Sequence, residues 1–166
     1  MKWTIIVLLG IILLFQSGCS PNKSSNFELY LTDSPLEGLE HFYITISQVY
    51  LRLEDGTWTD NLLAEPWTYD LLQLRDREEK LCQADLPPGT YTGIKLVIIK
   101  AELTVNGRSF QIDINPPLTI TIPVNFTLLE DGTVKVILDF DAAQSAVPEG
   151  SGYRLVPSIV VKRISY

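Results

Sequence analysis

Hydrophobic and polar residues alternate with a period of two through much of the chain. Val134, Val136, Leu138 and Phe140 fall on one parity, and Lys135, Ile137, Asp139 and Asp141 on the other. Leu118, Ile120 and Ile122 alternate in the same way with Thr119 and Thr121. Successive side chains of a strand point to opposite faces, so this period predicts strands with one face on a core. Ile44 and Ile46 lie on one parity while Val49, Leu51 and Leu53 lie on the other. A bulge is therefore expected near Ser47-Gln48. Residues 94–99 are apolar on both parities except at Lys95, which predicts a central strand covered on both faces.

Turn signals separate these runs. Asn106-Gly107 is a two-residue hairpin signal between two strand-like segments. Leu-Glu-Asp-Gly-Thr occurs twice, at residues 53–57 and 129–133, and each copy reads as a hairpin turn with glycine supplying positive φ. Pro87-Pro88-Gly89 and Pro116-Pro117 mark further turns. Helical spacing is scarce: residues 75–81, with Arg75/Glu79 and Asp76/Lys80, and residues 141–146 each allow a short turn. Many short strands without alternating helices predict an all-β fold. Its form is an antiparallel β-sandwich of immunoglobulin-like or transthyretin-like type, with eight or nine strands and one or two short helical turns. Pro157 falls in the last strand-like run and suits an edge strand, because proline cannot donate to a ladder.

The N-terminus follows another pattern. Lys2 precedes an apolar run at residues 3–15, then Gln16-Ser17-Gly18-Cys19. Such a run is too short to span a bilayer comfortably and suits the h-region of a secretion signal. Small residues before a cysteine resemble a lipobox, although Gln16 stands where leucine is usual. The expected organisation is a lipoprotein signal peptide at 1–18, an acylated Cys19 with a polar tether at 19–26, and the sandwich at 27–166. Ser20 favours outer-membrane sorting in a cell with two membranes.

Charge and cysteine content narrow the function. Loss of Lys2 with the leader leaves 12 basic against 20 acidic residues, a net −8. A negative domain without a Lys/Arg cluster excludes nucleic acid as the natural partner. With Cys19 acylated, Cys82 is the only remaining thiol, so no intrachain disulfide forms. His41 is the only histidine, which rules out a zinc site of the usual kind. Its place at the start of a strand predicts a solvent-facing role.

Three constellations are candidates for chemistry. Asp139 and Asp141 share a strand face, and Asp33 approaches them if the first and penultimate strands end on the same side. With Ser145 nearby, these oxygens would suit calcium; otherwise Asp33 caps its turn and Asp141 is a helix N-cap. Trp58, Trp67 and Tyr69, together with Tyr50, could stack on a sugar. A hydrolase using the Asp139/Asp141 pair lacks any visible pocket to raise one carboxyl.

Several ordered pieces resemble the bacterial lipoprotein family catalogued as domain of unknown function 4382. They are Tyr30-Leu31-Thr32-Asp33-Ser34-Pro35, Tyr43-Ile44-Thr45-Ile46-Ser47 with Val49, and Asp55-Gly56-Thr57-Trp58. Tyr69-Asp70-Leu71-Leu72-Gln73-Leu74, Leu86-Pro87-Pro88-Gly89-Thr90-Tyr91, Leu138-Asp139-Phe140-Asp141-Ala142 with Ser145, and Arg154-Leu155-Val156-Pro157 follow. The resemblance implies an exported, lipid-anchored β-sandwich and supplies no reaction. The expected function is therefore non-catalytic: a cell-envelope lipoprotein that docks another protein, with a carbohydrate-binding module as the alternative and the hydrolase as a third.

Overall fold

A computed structural model describes residues 25–33 and 39–166. The leader, Cys19 and the tether up to residue 24 lie outside the described residues, as do Ser34-Pro35 of the first motif. The strands are β1 (Ser25–Thr32), β2 (His41–Leu53), β3 (Trp67–Asp70), β4 (Glu79–Leu86), β5 (Gly89–Val105), β6 (Arg108–Ile112), β7 (Leu118–Leu128), β8 (Thr133–Phe140), β9 (Ala146–Glu149), β10 (Gly152–Leu155) and β11 (Ile159–Ser165). One sheet runs β11-β8-β1-β4; the other runs β3-β2-β5-β6, with β7 also on β5. β9 and β10 form a separate two-stranded ribbon. Every pair is antiparallel except β1 with β8, which run parallel.

The alternating apolar residues of both sheets meet in one core. Phe27, Leu29 and Leu31 of β1 and Val134, Val136, Leu138 and Phe140 of β8 are buried against Ile44, Ile46, Leu96 and Ile98 of the other sheet. Phe126 on β7 is the central aromatic. Its ring stacks on Phe27 at 5.5 Å and on Tyr91 at 5.4 Å between centroids, so one side chain joins the two sheets. The Tyr91 hydroxyl donates to Pro87 O at 2.8 Å, which pins the Pro87-Pro88-Gly89 corner as a tyrosine corner does. Burial raises the pKa of that hydroxyl above its usual value, so it stays a donor.

The expected bulge is present: Ser47 is skipped in the β2–β5 register, between Ile46↔Ile98 and Gln48↔Val97. Asn106 and Gly107 take φ of 48° and 70°, the left-handed pair a two-residue hairpin between right-twisted strands requires. β5 is central, as residues 94–99 predict, with β2 on one side and β6 and β7 on the other. Among the described residues nothing covers its second face: Lys95 and Val97 are half-buried and Ile99 is exposed, because no described third layer lies over that sheet to use their apolar surface.

Other expectations shift. The strand count is eleven among the described residues, because the short β3 and the β9–β10 ribbon carry little alternation. Ser25 and Asn26 belong to β1 rather than to the tether: Asn26 N–H donates to Gly132 O at 2.9 Å. The helical turn expected at 75–81 falls earlier, as a 3-10 turn at Leu71–Leu74 capped by Asp70, because Glu79 already starts β4. The turn at 141–146 is α1 (Ala142–Ser145). Pro157 sits between β10 and β11, not inside a strand. Among the described residues the prolines inside strands are Pro123 on β7 and Pro148 on the β9–β10 ribbon, both on strands paired on one side, where a missing N–H can face away from the ladder.

Candidate functional site: the seam between the sheets

Parallel pairing of β1 and β8 sets Thr32 beside Asp139, so the two strands end on the same side and Asp33 reaches the β8–α1 corner. Asp33 is 2% exposed, and its Oδ1 accepts the Ala142 N–H at 2.9 Å. Asp141 Oδ1 accepts the Gln144 N–H at 2.9 Å, the N-cap of α1. Asp139 Oδ2 lies 3.5 Å from Lys162 Nζ. Ser145 Oγ donates to Asp141 O at 2.6 Å and accepts the Ser158 N–H at 2.9 Å. The three aspartates are neighbours, but one oxygen of each faces a backbone N–H group or an ammonium. Among the described residues no group of three or more His, Cys, Asp or Glu is placed to hold a metal.

The aromatic set divides. Trp58 pairs beside Arg52 and lies on the outer face of β5. A Cβ at Gly93 would come within 3.3 Å of Arg52 Cβ and 3.7 Å of Trp58 Cη2, so Gly93 leaves room for that cover. Lys95 Nζ sits 4.3 Å from the ring centroids of both Tyr50 and Trp58, so these rings hold the protein's own cation. Tyr69 is 3% exposed and donates its hydroxyl to Lys80 O at 3.2 Å. Burial, and then the nearby Glu79 charge, push its pKa up. It supports β4 from inside and is not part of an open platform. Trp67 alone of the three faces solvent, at 50% exposure.

His41 opens β2, as its neighbours predict. Its Nδ1 is 2.7 Å from Asp70 Oδ2, while Asp70 Oδ1 accepts the Phe42 and Leu72 N–H groups. The pair ties β2 to the end of β3.

Around Trp67 the two sheets part. Residues 57–62 continue the margin of the second sheet beyond β3 without forming a regular strand. The Thr59 and Leu62 N–H groups donate to Leu51 O and Val49 O at 2.9 Å each. In return Thr59 Oγ1 and Asn61 Oδ1 accept the Leu51 and Val49 N–H groups at 3.0 and 2.9 Å. Side-chain oxygens here stand in for strand carbonyls. Opposite lies β4, the margin of the first sheet. A cleft of about 260 Å³ opens between them, lined by Leu63, Trp67, Tyr69, Glu79 and Leu81. Further along, a second of about 390 Å³ is lined by Leu62, Ala84, Leu86, Tyr91, Asp60 and Asp85. The sequence gives no period here; its one local signal is the pair of short side-chain acceptors, Thr59 and Asn61, two residues apart.

Cys82 lies buried on β4, and burial pushes its thiol pKa up to about 12. A thiolate is the reactive form, so a thiol reagent at pH 8 is expected to label Cys82 only as fast as the protein unfolds. Rapid stoichiometric labelling of the folded protein would show that β4 opens locally.

Two packed sheets with an apolar, aromatic-rimmed seam define an all-β sandwich domain. The chain belongs to the family described as Domain of unknown function (DUF4382), whose pattern matches residues 24–157, from just before β1 through β10. No curated protein and no solved structure matches it.

Proposed function

We propose that this is an exported, lipid-anchored cell-envelope domain that works without catalysis, docking another envelope protein at the seam. The observation that supports it is Trp67, a large aromatic left half-exposed beside an apolar cleft. Such residues dominate interface energetics, and truncating one costs about 2 kcal/mol or more of binding. A photo-crosslinker placed at Ala64 in living cells is expected to trap a protein partner, with the yield lost in Trp67→Ala. Trapping that is unchanged by Trp67→Ala would move the docking surface elsewhere.

The lipid anchor on Cys19 supports delivery to a membrane, since several acyl chains on one residue hold far more firmly than one. No helix among the described residues is long and apolar enough to cross a membrane. Cys19→Ala is expected to abolish metabolic labelling by a fatty acid and leave an unprocessed precursor. Unchanged labelling would remove the anchor from the proposal.

Exposure of Trp67 also favours the carbohydrate alternative. There, Trp67 fluorescence responds to an envelope polysaccharide in a Trp58→Phe background. An unresponsive signal across such polysaccharides counts against it.

A further inference from the structure

The partner's chemistry can be read from β4. Among the described residues this strand pairs with β1 on one side only. Asn26 N–H donates to Gly132 O, next to β8, so the even residues of this part of β1 direct their backbone toward β8 and the odd ones toward β4. Phe27 pairs with Ala84 and Leu29 with Cys82, which commits the backbone groups of Ala84 and Cys82 to β1. Gln83 and Asp85 then turn N–H and C=O to the open side. Across the β4 bulge Lys80 does the same, and its carbonyl is the one met by the Tyr69 hydroxyl.

The open margin also carries a charge pattern. The residues lining the two clefts include Asp60, Glu65, Glu79 and Asp85 against a single base, Lys80. Lys80 Nζ is already 2.8 Å from Glu28 Oε1, so the seam is acidic over an apolar floor. A strand laid along β4 alternates its side chains between the two faces of the sheet. One set enters the clefts, where Leu63, Trp67, Ala84 and Leu86 lie beside the exposed Asp60, Glu65 and Glu79, and the other lies outward beside Gln83, Asp85 and the Glu28-paired Lys80.

We propose that β4 accepts an extended basic segment of a partner protein as an added strand, with apolar side chains in the clefts and lysine or arginine beside the acidic rim. This rests on the docking reading and names its partner class. Main-chain bonds supply affinity in such strand addition, while alternate side chains supply specificity.

The probe is a ten-residue peptide alternating lysine and valine, titrated against the full chain with Trp67 fluorescence as readout. Two copies N-methylated on alternate residues each lose the N–H groups of one margin. One methylated copy is expected to bind at least about tenfold more weakly while the other is little changed. A peptide alternating glutamate and valine, and one with its lysines and valines in separate blocks, are each expected to bind about tenfold more weakly as well. Gln83→Pro, with its melting temperature recorded, is expected to lose binding from the protein side. No binding of the alternating peptide, equal binding of the block peptide, or indifference to both methylation patterns overturns strand addition. If a partner is trapped in cells through Trp67 while this peptide fails, docking stands and the basic added strand falls. If no protein is trapped there, the docking reading itself falls.

Discussion

Phe126→Ala is expected to lower the free energy of unfolding by roughly 3–5 kcal/mol, the usual cost of truncating a buried phenylalanine. The ring is 1% exposed and stacks on Phe27 from one sheet and on Tyr91 from its own. Removing it deletes dispersion contacts on both sides and leaves a cavity that two rigid sheets cannot close. Domains of this size are stable by only about 5–15 kcal/mol, so the variant approaches the threshold of folding. Urea denaturation at unchanged slope measures the loss. Thr127→Ala, the exposed neighbour on β7, is the control, expected within about 0.5 kcal/mol of wild type. A Phe126→Ala loss below about 1 kcal/mol would mean the core relaxes into the gap, and that the aromatic stack is not what joins the sheets. Tyr91→Phe separates packing from the corner bond. It keeps the stack, loses the hydroxyl to Pro87 O, and should cost about 1 kcal/mol.

What was legible in the chain follows from what periodicity encodes. Alternation tells which face a residue occupies, and a change of parity reveals a bulge, so β7, β8 and the irregularity at Ser47 could be placed. It says nothing about which strand lies alongside, and the parallel β1–β8 pair was therefore hidden. Ile137 shows a second limit. It falls on the outward parity of β8 yet is fully buried outside the inner core. Its cross-strand neighbours are Tyr30 and Arg163. Over the same face Glu78 bridges Lys135 at 2.7 Å and Arg163 at 2.6 Å, and the Lys135 ammonium sits 4.0 Å from the Tyr30 ring centroid. Polar residues can cover an apolar one through their aliphatic stems, and no pattern of two marks that.

The repeated pentapeptide shows that local sequence underdetermines backbone. Gly56 takes φ 90° in the first copy, while in the second it is Asp131 that takes φ 55°. There Gly132 is needed for space, since a Cβ would lie 3.0 Å from Leu129 O. The candidate site was legible only in part. Trp67 could be singled out as an aromatic after a proline, but its separation from Trp58 and the burial of Tyr69 depend on long-range pairing. The seam depends on residues 57–62 binding β2 through side-chain oxygens, which leaves no hydrophobic period to find.

Asp33→Ala is expected to destabilise the protein by about 1–3 kcal/mol, whether or not calcium is present. The cost depends on which group loses its partner. Ala142 is fully buried, and its N–H donates to Asp33 Oδ1 from a residue 109 positions away. Truncation leaves that donor without its acceptor in a place water does not reach, and the full desolvation cost appears. Asp33→Asn retains an oxygen at Oδ1 and is expected to recover most of the loss. Asp139→Asn weakens the contact with Lys162, whose side chain is 51% exposed, and loss of that contact should cost no more than about 1 kcal/mol. A calcium site predicts a different order. Calcium would raise the melting temperature of the wild type by mass action, and both Asp139→Asn and Asp33→Asn would erase that rise. Melting curves of the four proteins with and without calcium therefore decide between them. Loss confined to Asp33→Ala and indifferent to calcium makes the carboxylate a latch holding the β8–α1 corner onto the end of β1. A calcium-dependent rise abolished by either asparagine would make that corner a metal site instead.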